Sequence, residues 1–110
     1  MFFTKTPKLI QKLFPSLTWK INSIEKEVFI TFDDGPTPEF TQWLLNLLNS
    51  LNIKSTFFCI GEKAKRHPNI ISEILKQGHS IGNHTFSHNN GWVSTTDSYI
   101  KEIKKCSNFV

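Results

Sequence analysis

Apolar residues along this chain fall into short unbroken runs that alternate with longer stretches of helical spacing. Val28, Phe29, Ile30, Thr31 and Phe32 form the first run, β-branched and aromatic without polar alternation, which predicts a buried parallel strand. Asp33-Asp34-Gly35-Pro36 predicts the turn that ends it. Thr37 is then placed to cap a helix with Pro38 at its first position. In that helix Phe40, Trp43, Leu44, Leu47, Leu48 and Leu51 share one face, predicted to be buried with Trp43 in the core. Residues 55–60 predict a second strand closed by Gly61. Pro68 restarts a helix with Ile70, Ile71, Ile74 and Leu75 inward and Gly78 just past its end. Residues 79–82 predict a third strand. Thr95 or Thr96 caps a last helix, with Tyr99, Ile103, Cys106 and Val110 on one stripe.

This strand–helix rhythm is that of an α/β fold, a parallel sheet covered by helices. About three βα units are present, without repeats or an interdomain linker. The acidic turn and a later pair of histidines both follow the C-terminal ends of predicted strands, the edge on which (β/α) barrels collect their active sites.

Length and composition narrow the reading. The chain has 110 residues, 38% of them apolar and 13% aromatic, enough for a packed core and too apolar for a disordered segment. No apolar run approaches the roughly 18–20 residues of a membrane span. The net charge of +4 resides in residues 1–20, which contain Lys5, Lys8, Lys12 and Lys20 and no acid. The remainder is neutral, so nucleic acid is excluded as a partner on charge. We divide the chain into a basic arm, residues 1–24, and a catalytic body, residues 25–110. Leu9, Ile10, Leu13 and Phe14 make an apolar stripe in the arm, fitting either weak membrane-surface contact through residues 1–20 or a terminal arm covering one end of the domain. Pro7 and Pro15 limit any helix there to about two turns. The arm lacks the apolar stretch and cleavage site of a signal peptide. Cys59 and Cys106 have neither metal-site nor disulfide-framework spacing and are expected to be small buried or half-buried thiols.

Chemistry concentrates at Asp33-Asp34 and at His84 and His88. Either pair alone is unremarkable: Asp-Asp-Gly is common at strand ends, and a chain with four histidines often places two at this spacing. Together they form a set. Two histidines i and i+4 in a helical turn point the same way. With Asp34 they make three ligands of the types that hold catalytic zinc. Asp33, beside the metal but not on it, is left to act as a base. Zinc is the expected metal, although the donor set also accepts other divalent transition metals. Around these, Thr85 either braces the histidine loop through its hydroxyl or is a plain surface residue. Asn83 bonds a ligand or, by preference, the local turn. Trp92 either stacks on a sugar ring as a substrate-binding residue or packs within its loop. His67 and His79 are read as structural or solvated.

These segments resemble the polysaccharide deacetylase family, carbohydrate esterase family 4, also called the NodB homology domain. Residues 31–36 match the family's T-F-D-D-G-P motif, and His84-Thr85-Phe86-Ser87-His88 matches its H-[ST]-x-x-H motif. Residues 55–61 and 78–84 resemble the segments between. The resemblance implies a distorted (β/α) barrel, with Asp33 as general base and Asp34, His84 and His88 as metal ligands. It also implies hydrolysis of N-acetyl or O-acetyl groups on a polymer such as peptidoglycan or chitin, in the cell envelope or outside the cytoplasm. The family's later motifs need arginine, proline and histidine, none of which follows His88. The resemblance therefore covers the N-terminal half of such a domain and leaves open a metal-binding remnant without turnover. A haloacid-dehalogenase-type phosphatase, whose motif reads Asp-x-Asp-Gly, is ruled out by the adjacent acids and Pro36.

Overall fold

Three of the apolar runs pair into one parallel sheet in a computed structural model that describes residues 6–21 and 25–110. The elements are α1 (Lys8–Leu13), β1 (Thr31–Gly35), α2 (Pro38–Ser50), β2 (Thr56–Cys59), α3 (Gly61–Arg66), α4 (Pro68–Lys76), β3 (Ser80–Asn83) and α5 (Thr96–Cys106). Strand order is β1-β2-β3. Phe32, Phe57 and Ile81 lie in one cross-strand row and pack toward the helices. The next row, Asp33, Phe58 and Gly82, faces the other way, as the two-residue period of a strand requires. The core joins Leu44, Leu45 and Leu48 of α2 to Phe57 and Cys59 of β2, Ala64 of α3, and Ile70, Ile71 and Ile74 of α4.

The first strand is displaced from its predicted position. Val28 and Phe29 are exposed, and β1 begins at Thr31 because its partner begins opposite, at Thr56. It continues through Asp33, Asp34 and Gly35, which the pattern assigned to a turn. The helix that follows is rotated relative to its predicted stripe. Its buried residues are Thr41, Leu44, Leu45 and Leu48, while Phe40 and Trp43 pack ring against ring on the outside, with Trp43 57% exposed rather than in the core. A hydroxyl explains the rotation: Thr41 is buried because its Oγ1 accepts a hydrogen bond from the Thr37 N–H at 2.8 Å. Thr37 occupies the N-cap without capping through its own side chain. A polar residue satisfied in this way does not register in an apolar pattern. On α4 the three isoleucines are buried and Leu75 is exposed; Gly78, at φ +78°, ends that segment in the left-handed conformation glycine adopts without strain.

Helix α1 buries none of its residues, so the arm does not cover the domain through this stripe. Residues 1–5 of the arm and the boundary at residue 24 lie outside the described residues. No helix among the described residues is long and apolar enough to cross a membrane. Cys59 and Cys106 are buried and unbridged, as expected. Burial, reinforced by Cys106, pushes the Cys59 thiol up to about 11.

His79 is a structural residue. Its Nδ1 accepts from the Ser55 N–H at 3.2 Å, its ring meets Phe57 edge-on, and its Nε2 is buried without a partner. Burial first, and Lys54 second, hold its pKa below the ordinary 6.5. Below that pH the unfolded chain takes up a proton that the folded chain refuses, so His79 contributes full stability above it and progressively less as pH falls. The thermal midpoint should therefore drop between about pH 7.5 and 5.5. In His79→Asn, which keeps an acceptor for Ser55, that drop should shrink. Parallel melting-versus-pH curves for the two proteins would show that His79 is not responsible.

Candidate metal centre

The site is assembled at the C-terminal edge of the sheet. In β1, Asp33 pairs with Phe58 and Gly35 with Cys59, so Asp34 is the extra residue of a β-bulge. Its φ of +68° lies in the left-handed region, which Asp tolerates better than most residues. Lys63 of α3 secures the bulge by donating to the Asp34 carbonyl at 2.8 Å.

The histidines come from the segment after β3. His84 follows directly from the strand, its N–H bonded to the Cys59 carbonyl. The chain to His88 is an irregular loop rather than the predicted helical turn. The two rings converge because Thr85 and His88 both adopt positive φ, 60° and 57°. Such conformations cost roughly 1–2 kcal/mol each for a non-glycine residue and persist where surrounding contacts impose them. At Thr85 the contacts are its N–H to Asn83 Oδ1, its carbonyl to the Gly61 N–H, and the Phe86 carbonyl to the Glu62 N–H. Asn83 thus serves the local turn, as preferred on sequence grounds. Thr85 is buried with its hydroxyl unpartnered, so it neither braces the loop by that group nor lies on the surface.

Asp34 Oδ1 lies 3.0 Å from His84 Nε2 and 3.1 Å from His88 Nε2. The ligand atoms of these three residues all fall within 4.8 Å of one another. Tetrahedral zinc with bonds of about 2.0–2.1 Å would place its ligand atoms about 3.3 Å apart, and both Asp–His separations lie within a few tenths of an ångström of that spacing. Sequence reading identified all three residues. Asp33 neighbours the cluster without joining it, exposed, in a small cavity shared with Asp34, Gly35 and Lys63.

Beside the histidines an open cavity of about 600 Å³ is lined by Asn83, His84, Thr85, His88, Asn89, Asn90, Tyr99 and Ile103. Trp92 does not line it. Trp92 borders an adjoining cavity of about 440 Å³, joined to the first through Tyr99. At 98% exposure it does not pack within its loop. Sequence reading placed Tyr99 and Ile103 on a helical stripe and missed their place at the site, because the apolar pattern cannot tell a core-facing residue from a cleft-facing one.

Helix α5 supports the histidine loop from outside. Glu102 accepts two hydrogen bonds from Ser87, from its N–H at 2.7 Å and its hydroxyl at 2.6 Å. The Ser87 hydroxyl is the main cause holding the Glu102 carboxyl below its ordinary range. Asn83 Nδ2 donates to the Ile103 carbonyl at 2.8 Å and to Ser107 Oγ at 2.9 Å. The Lys105 ammonium sits 3.7 Å from the centre of the Phe86 ring. The close approach of α5 depends on Gly61, where a Cβ would come within 2.9 Å of the Cys106 Cα.

A parallel sheet with an Asp–His–His cluster at its C-terminal edge belongs to the class of α/β domains that carry their functional residues on loops after strands. The family described as polysaccharide deacetylase matches residues 20–110, and the chain belongs to that family. A peptidoglycan-N-acetylglucosamine deacetylase of Bacillus cereus is 49% identical over 79 residues, which cover 72% of this chain and 29% of the relative. The crystal structure of a peptidoglycan N-acetylglucosamine deacetylase in complex with 4-naphthalen-1-yl-N-oxidanyl-benzamide superposes with a TM-score of 0.74 at 47% identity, covering 76% of this chain and 39% of that one. A family 4 acetyl xylan esterase from Clostridium thermocellum, in complex with a cobalt ion, gives a TM-score of 0.69 at 32% identity over 74% of this chain and 40% of its own. The chain thus spans about a third of the length of these proteins. Its three βα units match part of their barrel.

Proposed function

We propose that this chain carries the metal site and general base of a metal-dependent polysaccharide deacetylase acting on N-acetyl groups of an amino-sugar polymer such as peptidoglycan or chitin. The observation that carries the reading is the convergence of both histidine Nε2 atoms on one oxygen of Asp34, with a second, non-ligating carboxylate on the preceding residue. A divalent cation held there, zinc by the donor set, supplies a Lewis acid for the acetyl carbonyl and makes water acidic enough to ionise near neutral pH.

Asp33 takes the proton of the attacking water. The water oxygen bonds to the acetyl carbon, the carbon–nitrogen bond breaks, and acetate leaves. The proton taken by Asp33 passes, directly or through solvent, to the departing amine. An ester-linked acetyl group would be cut in the same way. Trp92, exposed beside Tyr99, offers a flat apolar face for a sugar ring of the same polymer. The exposed stripe of α1, with Lys8 and Lys12 beside it, suits weak contact with a membrane surface and hence work at the cell envelope.

The test joins this chain to the remaining part of the Bacillus cereus relative's domain and measures acetate released from an N-acetylated chitooligosaccharide. Release should stop with a chelator and return with added zinc. A folded, zinc-loaded protein that releases no acetate refutes the reading.

A further inference from the structure

The half of the loop that presents His88 has little to hold it. His88 is in the left-handed conformation. Among the described residues, the two bonds from Ser87 to Glu102 and the approach of His88 to Asp34 are the polar contacts of residues 87–88. The Thr85 half is tied to Asn83 and α3; the His88 half is tied to α5. Glu102 is not one of the clustered ligand residues, so any influence on the centre passes through the loop. Both bonds end on a single carboxylate oxygen, the charge-assisted kind that fixes geometry as well as adding strength. Glu102 is itself held in place, because α5 is pinned by Asn83 and by its close approach to Gly61.

We propose that Glu102 is a positioning residue for the metal centre: by gripping Ser87 it holds the histidine loop in the one shape that aims His88 at Asp34. This rests on the metal reading given above. A metal ion binds the aligned loop, and any population of misaligned loop lowers the apparent affinity in proportion.

Zinc affinity of the 110-residue chain, measured by competition with a chromophoric chelator well below each variant's melting temperature, tests this. Glu102→Ala should weaken binding about 10-fold, the low end of the loss for a group bonded directly to a metal ligand because Glu102 acts one residue removed, and Glu102→Gln, which keeps an acceptor oxygen, should lie between. Ser87→Ala, which changes no charge, should weaken binding in the same direction. The Ser87→Ala/Glu102→Ala double variant should be no weaker than Glu102→Ala alone, since both act on one contact. The cobalt(II) absorption spectrum should also change in Glu102→Ala, a signature that a purely structural role would leave alone. Equal zinc affinity in the wild type, Glu102→Gln and Ser87→Ala overturns the proposal and leaves the metal reading intact. Additive losses overturn it as well, by showing that the carboxylate acts through its field. A wild-type chain that binds no zinc overturns both readings.

Discussion

Zinc affinity is expected to fall by at least about 100-fold when either His84 or His88 is replaced by alanine, and to survive Asp33→Asn nearly unchanged. The size follows from the coordination proposed above. Outer partners of a metal ligand are each worth about 10–100-fold in affinity, and a ligand itself is worth more. With three protein ligands, removing one leaves two donors on an exposed loop edge, where water competes for the ion. Asp33 lies outside the cluster, and Asn has its shape, so the bulge that presents Asp34 should stay intact. Isothermal titration at neutral pH reads both outcomes. Histidine variants that bind zinc as the wild type does would place the ion elsewhere, and an Asp33→Asn variant that loses it would make Asp33 a ligand.

The second large effect is on turnover. In the joined domain, Asp33→Asn should lower the rate of acetate release by roughly 10²–10⁴-fold, the usual contribution of a general base. Asparagine keeps the shape and hydrogen-bonding oxygen of aspartate but cannot accept a proton at neutral pH. Asp33 is exposed at the end of β1, on the sheet face opposite the helical core, so the substitution disturbs no packing. Measuring zinc affinity on the same sample separates lost chemistry from lost metal. A variant as fast as its parent would assign the base to another residue.

Much of this was legible in the residues themselves. Short apolar runs pointed to three parallel strands, and the acidic and histidine motifs pointed to the three side chains that the structure brings together. Several of the errors arise where local contacts, invisible in an apolar pattern, decide the geometry. Thr41, buried by its bond to the Thr37 N–H, rotated α2 and put Trp43 outside. The two aspartates looked like a turn, yet they continue the ladder because a bulge absorbs one of them. The histidine pair looked helical by spacing, whereas backbone bonds and two left-handed residues bring the rings together. Glu102 gave no sequence signal, since its partner lies fifteen residues away along the chain.

The bulge at residue 34 also restricts which mutations the scaffold can absorb. A residue at φ +68° is comfortable only as glycine, asparagine or aspartate. Of these three, aspartate alone is an anionic ligand. Its codons differ from those of asparagine and of glycine by a single nucleotide transition. The substitutions that the backbone tolerates best at this position are thus also ones that remove the carboxylate, and descendants without it but with an undamaged sheet lie one base change away. Alanine or leucine there would strain the backbone as well as remove the carboxylate, so drift at position 34 should cost the proposed metal site before it costs the fold.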